Sequence, residues 1–181
     1  MGGIQLQLVT VQMGHSEAQM NKATQEVMFS SKTGEWATPK DFFKKLNIRF
    51  GPFELDPCAS PYNTKCDNFY TEPEDGLSKS WQGHTVFVNP PYGRGIEAWI
   101  KKAYEEAQDP DTKVVMLIPA RTDTRYWHDY VMKAEMVYFV KGRLKFGGHE
   151  NSAPFPSAVV VFSKLPEHWR GDYPRMGALQ R

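Results

Sequence analysis

The tetrapeptide Asn89-Pro90-Pro91-Tyr92 combines several hydrogen-bond acceptors with a flat aromatic ring. Proline carbonyls accept hydrogen bonds, the asparagine side chain adds another carbonyl, and tyrosine offers a ring face with a polar tip. Paired acceptors beside a stacking ring suit an amino group attached to a planar ring. Two in-plane acceptors also favour pyramidalisation at the nitrogen, which makes its delocalised lone pair available in the transition state. The tetrapeptide therefore predicts chemistry at a ring-bound amine; the simpler interpretation is a rigid turn.

The residues before this tetrapeptide explain how it is held. Residues 86–88 are a short apolar run that predicts a buried strand. Neither proline can lie inside a central strand, because proline has no N–H to donate, and each favours extended geometry in the residue before it. The predicted result is a stiff arm at the carboxyl end of a strand, where ligands collect in open α/β sheets.

Hydrophobic periodicity predicts helices that alternate with strands, which indicates an α/β fold with a mixed, mainly parallel sheet. The predicted strands are 53–56, 69–71, 86–88, 113–118, 136–140 and 158–162. The predicted helices are a weak one at 16–28, one with Thr38 as N-cap and Pro39 at its first position, a clear one at 95–108, and one from Thr122 or Thr124 to about Lys133. The interval between Asp56 and Asn89 is too short for two full crossovers, so we expect a trimmed region after the first strand.

Length and composition fit one globular domain in a reduced compartment. The chain has 181 residues, a formal net charge of +1 and two cysteines, Cys58 and Cys66. Two cysteines at this spacing predict neither a zinc site nor a disulfide scaffold, and no apolar run is long enough to span a bilayer. We expect no metal site and a cytoplasmic protein. The expected division is an N-terminal arm (1–34), a main domain (35–166) and a polar C-terminal tail (167–181).

Seven short motifs occur in order along most of the chain. They are Glu-Trp-Ala-Thr-Pro at 35–39, Leu-Asp-Pro-Cys-Ala at 55–59, Asp-Gly-Leu at 75–77, Asn-Pro-Pro-Tyr at 89–92, Ile-Pro-Ala-Arg-Thr-Asp-Thr at 118–124, Gly-Arg-Leu-Lys-Phe at 142–146 and Ala-Pro-Phe-Pro-Ser at 153–157. The ordered set resembles the phage-type DNA N6-adenine methyltransferase family. The resemblance implies a Rossmann-like methyltransferase fold and methyl transfer from S-adenosylmethionine to N6 of adenine in DNA. Asn89 and the Pro90 carbonyl would then hold the amino hydrogens while Tyr92 stacks on the base.

Seven residues are candidates for binding the cofactor: Trp36, Thr38, Pro39, Asp56, Pro57, Cys58 and Asp75. A carboxylate at the end of the first strand, such as Asp56, is well placed to bind a ribose hydroxyl or an ammonium group. The resemblance implies that residues 36–39 cover the methionine end and that Asp75 contacts the adenine amino group. The usual glycine-rich loop is absent after the first strand. Each of these segments also has a simpler interpretation as a capped helix or a solvated turn.

Four basic residues are candidate DNA contacts: Arg121, Arg125, Arg143 and Lys145. Lys141, Arg143 and Lys145 alternate, so in extended chain they share one face that could follow phosphates. Ordinary surface charge is the alternative for each of them. A target base would have to leave the duplex to reach the arm.

Two other functions stay open from the sequence. The same tetrapeptide occurs in methyltransferases of RNA adenine and of protein glutamine, whose amide nitrogen needs the same paired acceptors. The absence of the glycine-rich loop is also compatible with an inactive DNA-binding or decoy protein that has kept the fold and lost the cofactor.

Overall fold

The computed structural model describes residues 36–147, 151–164 and 174–181. Three α-helices occur in these ranges: α1 (Lys40–Phe50), α2 (Ile96–Glu106) and α3 (Arg125–Asp129). The strands are β1 (Leu55–Asp56), β2 (Asn68–Phe69), β3 (Thr85–Val88), β4 (Lys113–Pro119), β5 (Met136–Lys141), β6 (Ser157–Ser163) and β7 (Arg175–Gln180). The N-terminal arm and the weak helix at 16–28 lie outside the described residues.

The seven strands form one sheet in the order β2-β1-β3-β4-β6-β5-β7. Only β6 runs antiparallel to its neighbours, and every other pair is parallel. The prediction of an α/β fold with a mixed, mainly parallel sheet is confirmed. The carboxyl ends of β1, β3, β4 and β5 consequently lie along the same edge of the sheet.

Side chains of the central strands alternate between two hydrophobic cores. On β4, Val114 and Met116 pack in the core that contains α2, whereas Val115 and Leu117 pack in the core that contains α1. Helices or loops therefore cover both faces, which explains why this strand is almost continuously apolar. The arm that follows β3 is thereby anchored to a strand with three fully buried side chains.

Two helices depart from their predicted starts and ends. Pro39 is the N-cap of α1, and Thr38 makes no capping bond, so the prediction of Thr38 as N-cap is wrong. Pro39 has ψ 136°, which is extended, and the helix starts only at Lys40. The helix predicted from Thr122 or Thr124 to about Lys133 divides into α3 and a 3₁₀ turn at Val131–Lys133, because Tyr130 between them leaves helical geometry at φ −127°.

The region after β1 is trimmed, as predicted. Residues 57–84 contain β2 and a 3₁₀ turn at Glu72–Glu74 and no α-helix. Trp81 closes the region: it is fully buried, its indole N–H donates to the Gly76 carbonyl at 2.9 Å, and its backbone N–H donates to Glu106 at 2.9 Å.

The interval predicted to be a polar tail contains an edge strand. Residues 175–180 form β7, which pairs in parallel with β5. The sequence Arg-Met-Gly-Ala-Leu-Gln has weak alternation and no buried side chain, so its pattern does not reveal a strand. Gly177 permits the pairing, because a Cβ there would lie 2.6 Å from the Tyr138 ring.

No helix in the described ranges is long and apolar enough to cross a membrane. The same ranges contain no cluster of three or more His, Cys, Asp or Glu side chains that could hold a metal ion.

We predict that Gly76→Ala destabilises the protein. A Cβ at Gly76 would lie 1.9 Å from the Pro57 carbonyl oxygen, so the two segments must separate. Overpacking of this kind costs about 1–3 kcal/mol in the free energy of unfolding. Thermal unfolding measures it, with Gly93→Ala as the control, since a Cβ at Gly93 has no atom within 4 Å. Equal melting temperatures for the two variants would contradict the prediction.

Candidate active site

The proline arm starts where β3 ends, at the edge that carries the carboxyl ends of the parallel strands. Pro90 is buried, Asn89 is half-buried and Pro91 is exposed. Because neither proline can continue the hydrogen-bonded ladder, the chain leaves the sheet at Asn89. The arm is therefore buried at Pro90 and exposed to solvent at Pro91.

Two hydrogen bonds orient the side-chain amide of Asn89. Its Nδ2 donates to the main-chain carbonyl of Trp36. The hydroxyl of Tyr92 donates to Asn89 Oδ1 at 2.9 Å and also lies 3.2 Å from the Leu117 carbonyl. A carbonyl oxygen has two lone pairs, so Oδ1 can accept a further hydrogen bond.

Tyr92 packs in an aromatic cluster that consists of Trp36, Tyr92, Phe146 and Phe155. The Tyr92 ring meets Phe155 at 5.4 Å and Phe146 at 6.1 Å, both edge to face. Burial raises the pKa of the Tyr92 phenol well above its ordinary value, so the hydroxyl stays a donor. The structure joins Tyr92 to Asn89, and the stacking of its ring on a base stays a prediction.

A small cleft lies between the arm, β1 and the segment before α1. Its volume is about 40 Å³. The lining residues are Trp36, Ala37, Thr38, Asp56, Cys58, Asn63, Lys65, Phe87, Asn89, Pro90 and Pro91. Thr38 is buried, and its hydroxyl has no hydrogen-bond partner among the described residues. A buried polar atom without a partner costs free energy, so this hydroxyl is suited to bind a ligand.

Asp56 is a buried carboxylate in the small cleft, with 4% of its surface exposed. Burial raises its pKa from 3.8 to about 7, and the backbone N–H groups of Lys65 and Cys58 and the Lys65 charge only partly oppose this. The Lys65 N–H donates to Asp56 Oδ2 at 3.3 Å. A carboxylate in this position would gain from a cationic ligand.

A larger cleft lies on the other side of Pro91. Its volume is about 320 Å³, and it is lined by Pro57, Cys58, Ala59, Thr71, Glu72, Asp75, Gly76, Pro91 and Trp99. Cys58 and Pro91 line both clefts, so the two meet at the arm. Asp75 is exposed in a left-handed conformation, with φ 50°.

The structure brings most of the predicted cofactor residues to these two clefts. Trp36, Thr38, Asp56 and Cys58 line the small one, and Pro57, Cys58 and Asp75 line the large one. Pro39 lines neither cleft and instead precedes α1.

The clefts are also lined by residues that sequence reasoning did not select, among them Asn63, Lys65, Phe87 and Trp99. Trp99 belongs to the apolar stripe of α2, and a stripe at helical spacing indicates core packing. It does stack on Trp81 at 6.1 Å, but its other side faces the large cleft. Asn63 and Lys65 lie in a polar stretch without a periodic pattern.

The predicted basic residues differ in their surroundings. Arg121, Arg143 and Lys145 are exposed in loops that follow β4 and β5, and none has an ion-pair partner within the described ranges. Arg125 is instead paired with Glu97 at 2.7 Å and lies 3.9 Å from Asp129. Arg94, which sequence reasoning did not select, is exposed two residues beyond Tyr92 on the arm itself.

Comparison with known proteins agrees with this geometry. The sequence model of the family described as DNA N-6-adenine-methyltransferase (Dam) matches residues 25–171. The chain is 33% identical over 134 residues to a DNA N-6-adenine-methyltransferase of Haemophilus phage HP1 (strain HP1c1), covering 70% of this chain and 77% of the relative. It is 30% identical over 110 residues to a protein of the same name from Escherichia phage T1, covering 60% of this chain and 45% of that protein. The chain therefore belongs to the DNA N-6-adenine-methyltransferase (Dam) family.

Proposed function

We propose that this protein transfers a methyl group from S-adenosylmethionine to the N6 amino group of adenine in DNA. The observation that carries the proposal is the position of the arm. Asn89 and Pro90, whose carbonyl groups are hydrogen-bond acceptors, line the small cleft, and Pro91 beside them lines both clefts. Family membership supports adenine in DNA as the substrate over RNA adenine or protein glutamine.

The two clefts fit the two ends of S-adenosylmethionine. When bound, this cofactor supplies a methyl group on a positively charged sulfur. The small cleft offers the Asp56 carboxylate for the ammonium group and the unpartnered Thr38 hydroxyl for a second polar group. The large cleft offers Trp99 as an apolar wall and Asp75 as an acceptor for the adenosine end. Cys58 and Pro91 line both clefts and would contact the bound cofactor between its two ends.

Pro57-Cys58-Ala59-Ser60 stands where a glycine-rich loop is usual, and β2 holds this segment in place. The Ala59 N–H donates to the Tyr70 carbonyl at 3.0 Å, and the Tyr70 N–H donates to the Asp56 carbonyl at 3.1 Å. Gly76 allows the 75–77 turn to approach the Pro57 carbonyl closely. The walls of the large cleft are thus set by the segment that follows β2 and by that turn.

The chain's own groups prepare the amine for attack. Asn89 Oδ1 and the Pro90 carbonyl would accept its two hydrogens and favour a pyramidal nitrogen whose lone pair points to the methyl carbon. The amine is neutral and the donor is cationic, so charge disperses in the transition state and a dry pocket helps. A proton leaves the nitrogen after transfer, so no strong base is needed beforehand.

Replacement of Asn89 by Ala should reduce single-turnover methyl transfer to duplex DNA by at least about 10²-fold, because one of two oriented acceptors is lost. Cofactor affinity, measured by calorimetry, should fall by no more than about tenfold, which corresponds to one neutral hydrogen bond. A variant that methylates DNA at the wild-type rate would show that the arm does not have this role. A wild-type protein that binds no S-adenosylmethionine would instead favour the inactive decoy.

Affinity for S-adenosylmethionine should fall as the pH drops below about 7. The pKa of Asp56 is raised to about 7 by burial, so below that pH the side chain gains a proton and no longer attracts an ammonium group. The decrease can approach tenfold per pH unit. Calorimetry between about pH 6 and pH 7.5 measures it. Asp56→Asn is the control: it should bind weakly at every pH, with no such dependence.

The same carboxyl should have the opposite effect on the stability of the ligand-free protein. Its pKa of about 7 in the folded protein exceeds the ordinary value of 3.8, so the folded state binds the extra proton between these values. The free energy of unfolding that Asp56 contributes is therefore greatest below pH 4 and decreases as the pH rises through 7. The melting temperature of Asp56→Asn relative to wild type should rise over the same range. A constant difference would show that Asp56 is not a buried titrating group.

Replacement of Arg121 by Ala should weaken DNA binding and reduce the slope of log affinity against log salt by about one. Arg125→Ala is the matched control, because Glu97 already neutralises that guanidinium and the effect should be smaller. Fluorescence anisotropy of a labelled duplex at several salt concentrations measures both. A larger effect for Arg125 than for Arg121 would assign the DNA surface to α3 instead.

A further inference from the structure

We propose that the main-chain carbonyl of Trp36 is a positioning group that turns the Asn89 amide so that its oxygen faces the target amine. The site consequently requires asparagine and rejects an ionised aspartate at this position. The inference rests on the proposed function, since it gives the orientation of the acceptor that the reaction uses.

The two ends of the Asn89 amide have partners of opposite kinds. Nδ2 donates to the Trp36 carbonyl, and Oδ1 accepts from the Tyr92 hydroxyl at 2.9 Å. A flipped amide would place two acceptors together at Trp36, although the Tyr92 hydroxyl could still accept from the amide NH₂ while it donates to the Leu117 carbonyl. Only the observed orientation satisfies both neighbours, and it leaves a lone pair of Oδ1 for a substrate N–H.

The Trp36 carbonyl is placed by the fold and not by Asn89 alone. The next residue, Ala37, accepts a hydrogen bond at 2.8 Å from the N–H of Gly147 in the loop after β5. The Trp36 ring packs against Phe146 at 5.5 Å and against Phe155 at 5.3 Å, both edge to face. The carbonyl therefore stays in position when the side chain at residue 89 changes.

An ionised aspartate at position 89 would have no proton for the Trp36 carbonyl. Two oxygens would then face each other at a part-buried position, which is unfavourable. A protonated aspartate restores both bonds, because its O–H can donate to Trp36 while its carbonyl oxygen faces Tyr92 and the amine. The variant should therefore work only when it is protonated.

Four titratable groups lie around this position. Asp56, Cys58 and Lys65 line the same cleft, and Tyr92 contacts the amide directly. The Tyr92 phenol stays neutral, because burial raises its pKa. Asp56 titrates in the wild type as well, so the variant has to be compared with the wild type at each pH and at saturating cofactor.

The experiment measures single-turnover methyl transfer by Asn89→Asp and by wild type between about pH 5.5 and pH 8.5. The ratio of the variant rate to the wild-type rate should rise at least about tenfold as the pH falls across this range. A ratio that does not change with pH would overturn the inference, whether the variant is active or inactive throughout.

Thermal unfolding gives a second measurement that does not depend on activity. The matched control is Asn89→Ala, which also loses the bond to Trp36 but adds no charge. The melting temperature of Asn89→Asp should match or exceed that of Asn89→Ala at low pH and fall below it as the pH rises. A constant difference would contradict the inference, and so would an aspartate variant that is unfolded at every pH.

The outcomes separate this inference from the proposed function. Full methyl transfer by Asn89→Ala would remove the role of the arm and this inference together, whereas a wild-type protein that transfers no methyl group to DNA would remove the proposed function itself. Loss of transfer in Asn89→Ala, combined with a pH-independent ratio for Asn89→Asp, would remove only the role of Trp36.

Discussion

The absence of an N–H on Pro90 and Pro91 is the constraint on which the site depends. A central strand cannot continue through a residue that donates no hydrogen bond, so β3 must end and the chain must leave the sheet. The carbonyl groups of the same two residues can still accept hydrogen bonds. The sheet places that exit beside the ends of β1 and β4. One covalent property thus both ends a strand and brings the arm to the border of the two clefts.

Burial determines the electrostatics of the small cleft. Both faces of the sheet are covered, so a carboxylate at the end of β1 loses most of its water, and its pKa rises. A folded protein retains such a group at a cost in stability, which a cationic ligand can offset on binding. The unpartnered Thr38 hydroxyl in the same cleft is a second group of this kind. The small cleft therefore contains a buried carboxylate and a hydroxyl that the described residues do not fully compensate.

Aromatic packing joins the arm to the rest of the domain. The aromatic cluster of Trp36, Tyr92, Phe146 and Phe155 links four separate segments of the chain. In sequence reasoning Tyr92 is a platform for a base, whereas in the structure its hydroxyl also fixes Asn89. Stacking on a base and holding the amide use different parts of the residue, the ring and the phenol oxygen. The two roles are chemically compatible.

The sequence by itself determined the α/β pattern, the trimmed region after β1 and the end of β3 before the two prolines. These follow from local properties: proline geometry, hydrophobic period and segment length. It did not reveal that β7 pairs with β5 at the edge of the sheet, or that Arg125 forms an ion pair with Glu97. It also did not reveal that the Thr38 hydroxyl has no hydrogen-bond partner among the described residues. Only the tertiary structure decided the orientation of the Asn89 amide, because its partner Trp36 lies 53 residues away in the chain. Contacts at that separation depend on how the whole sheet and its loops assemble, and no local pattern encodes them.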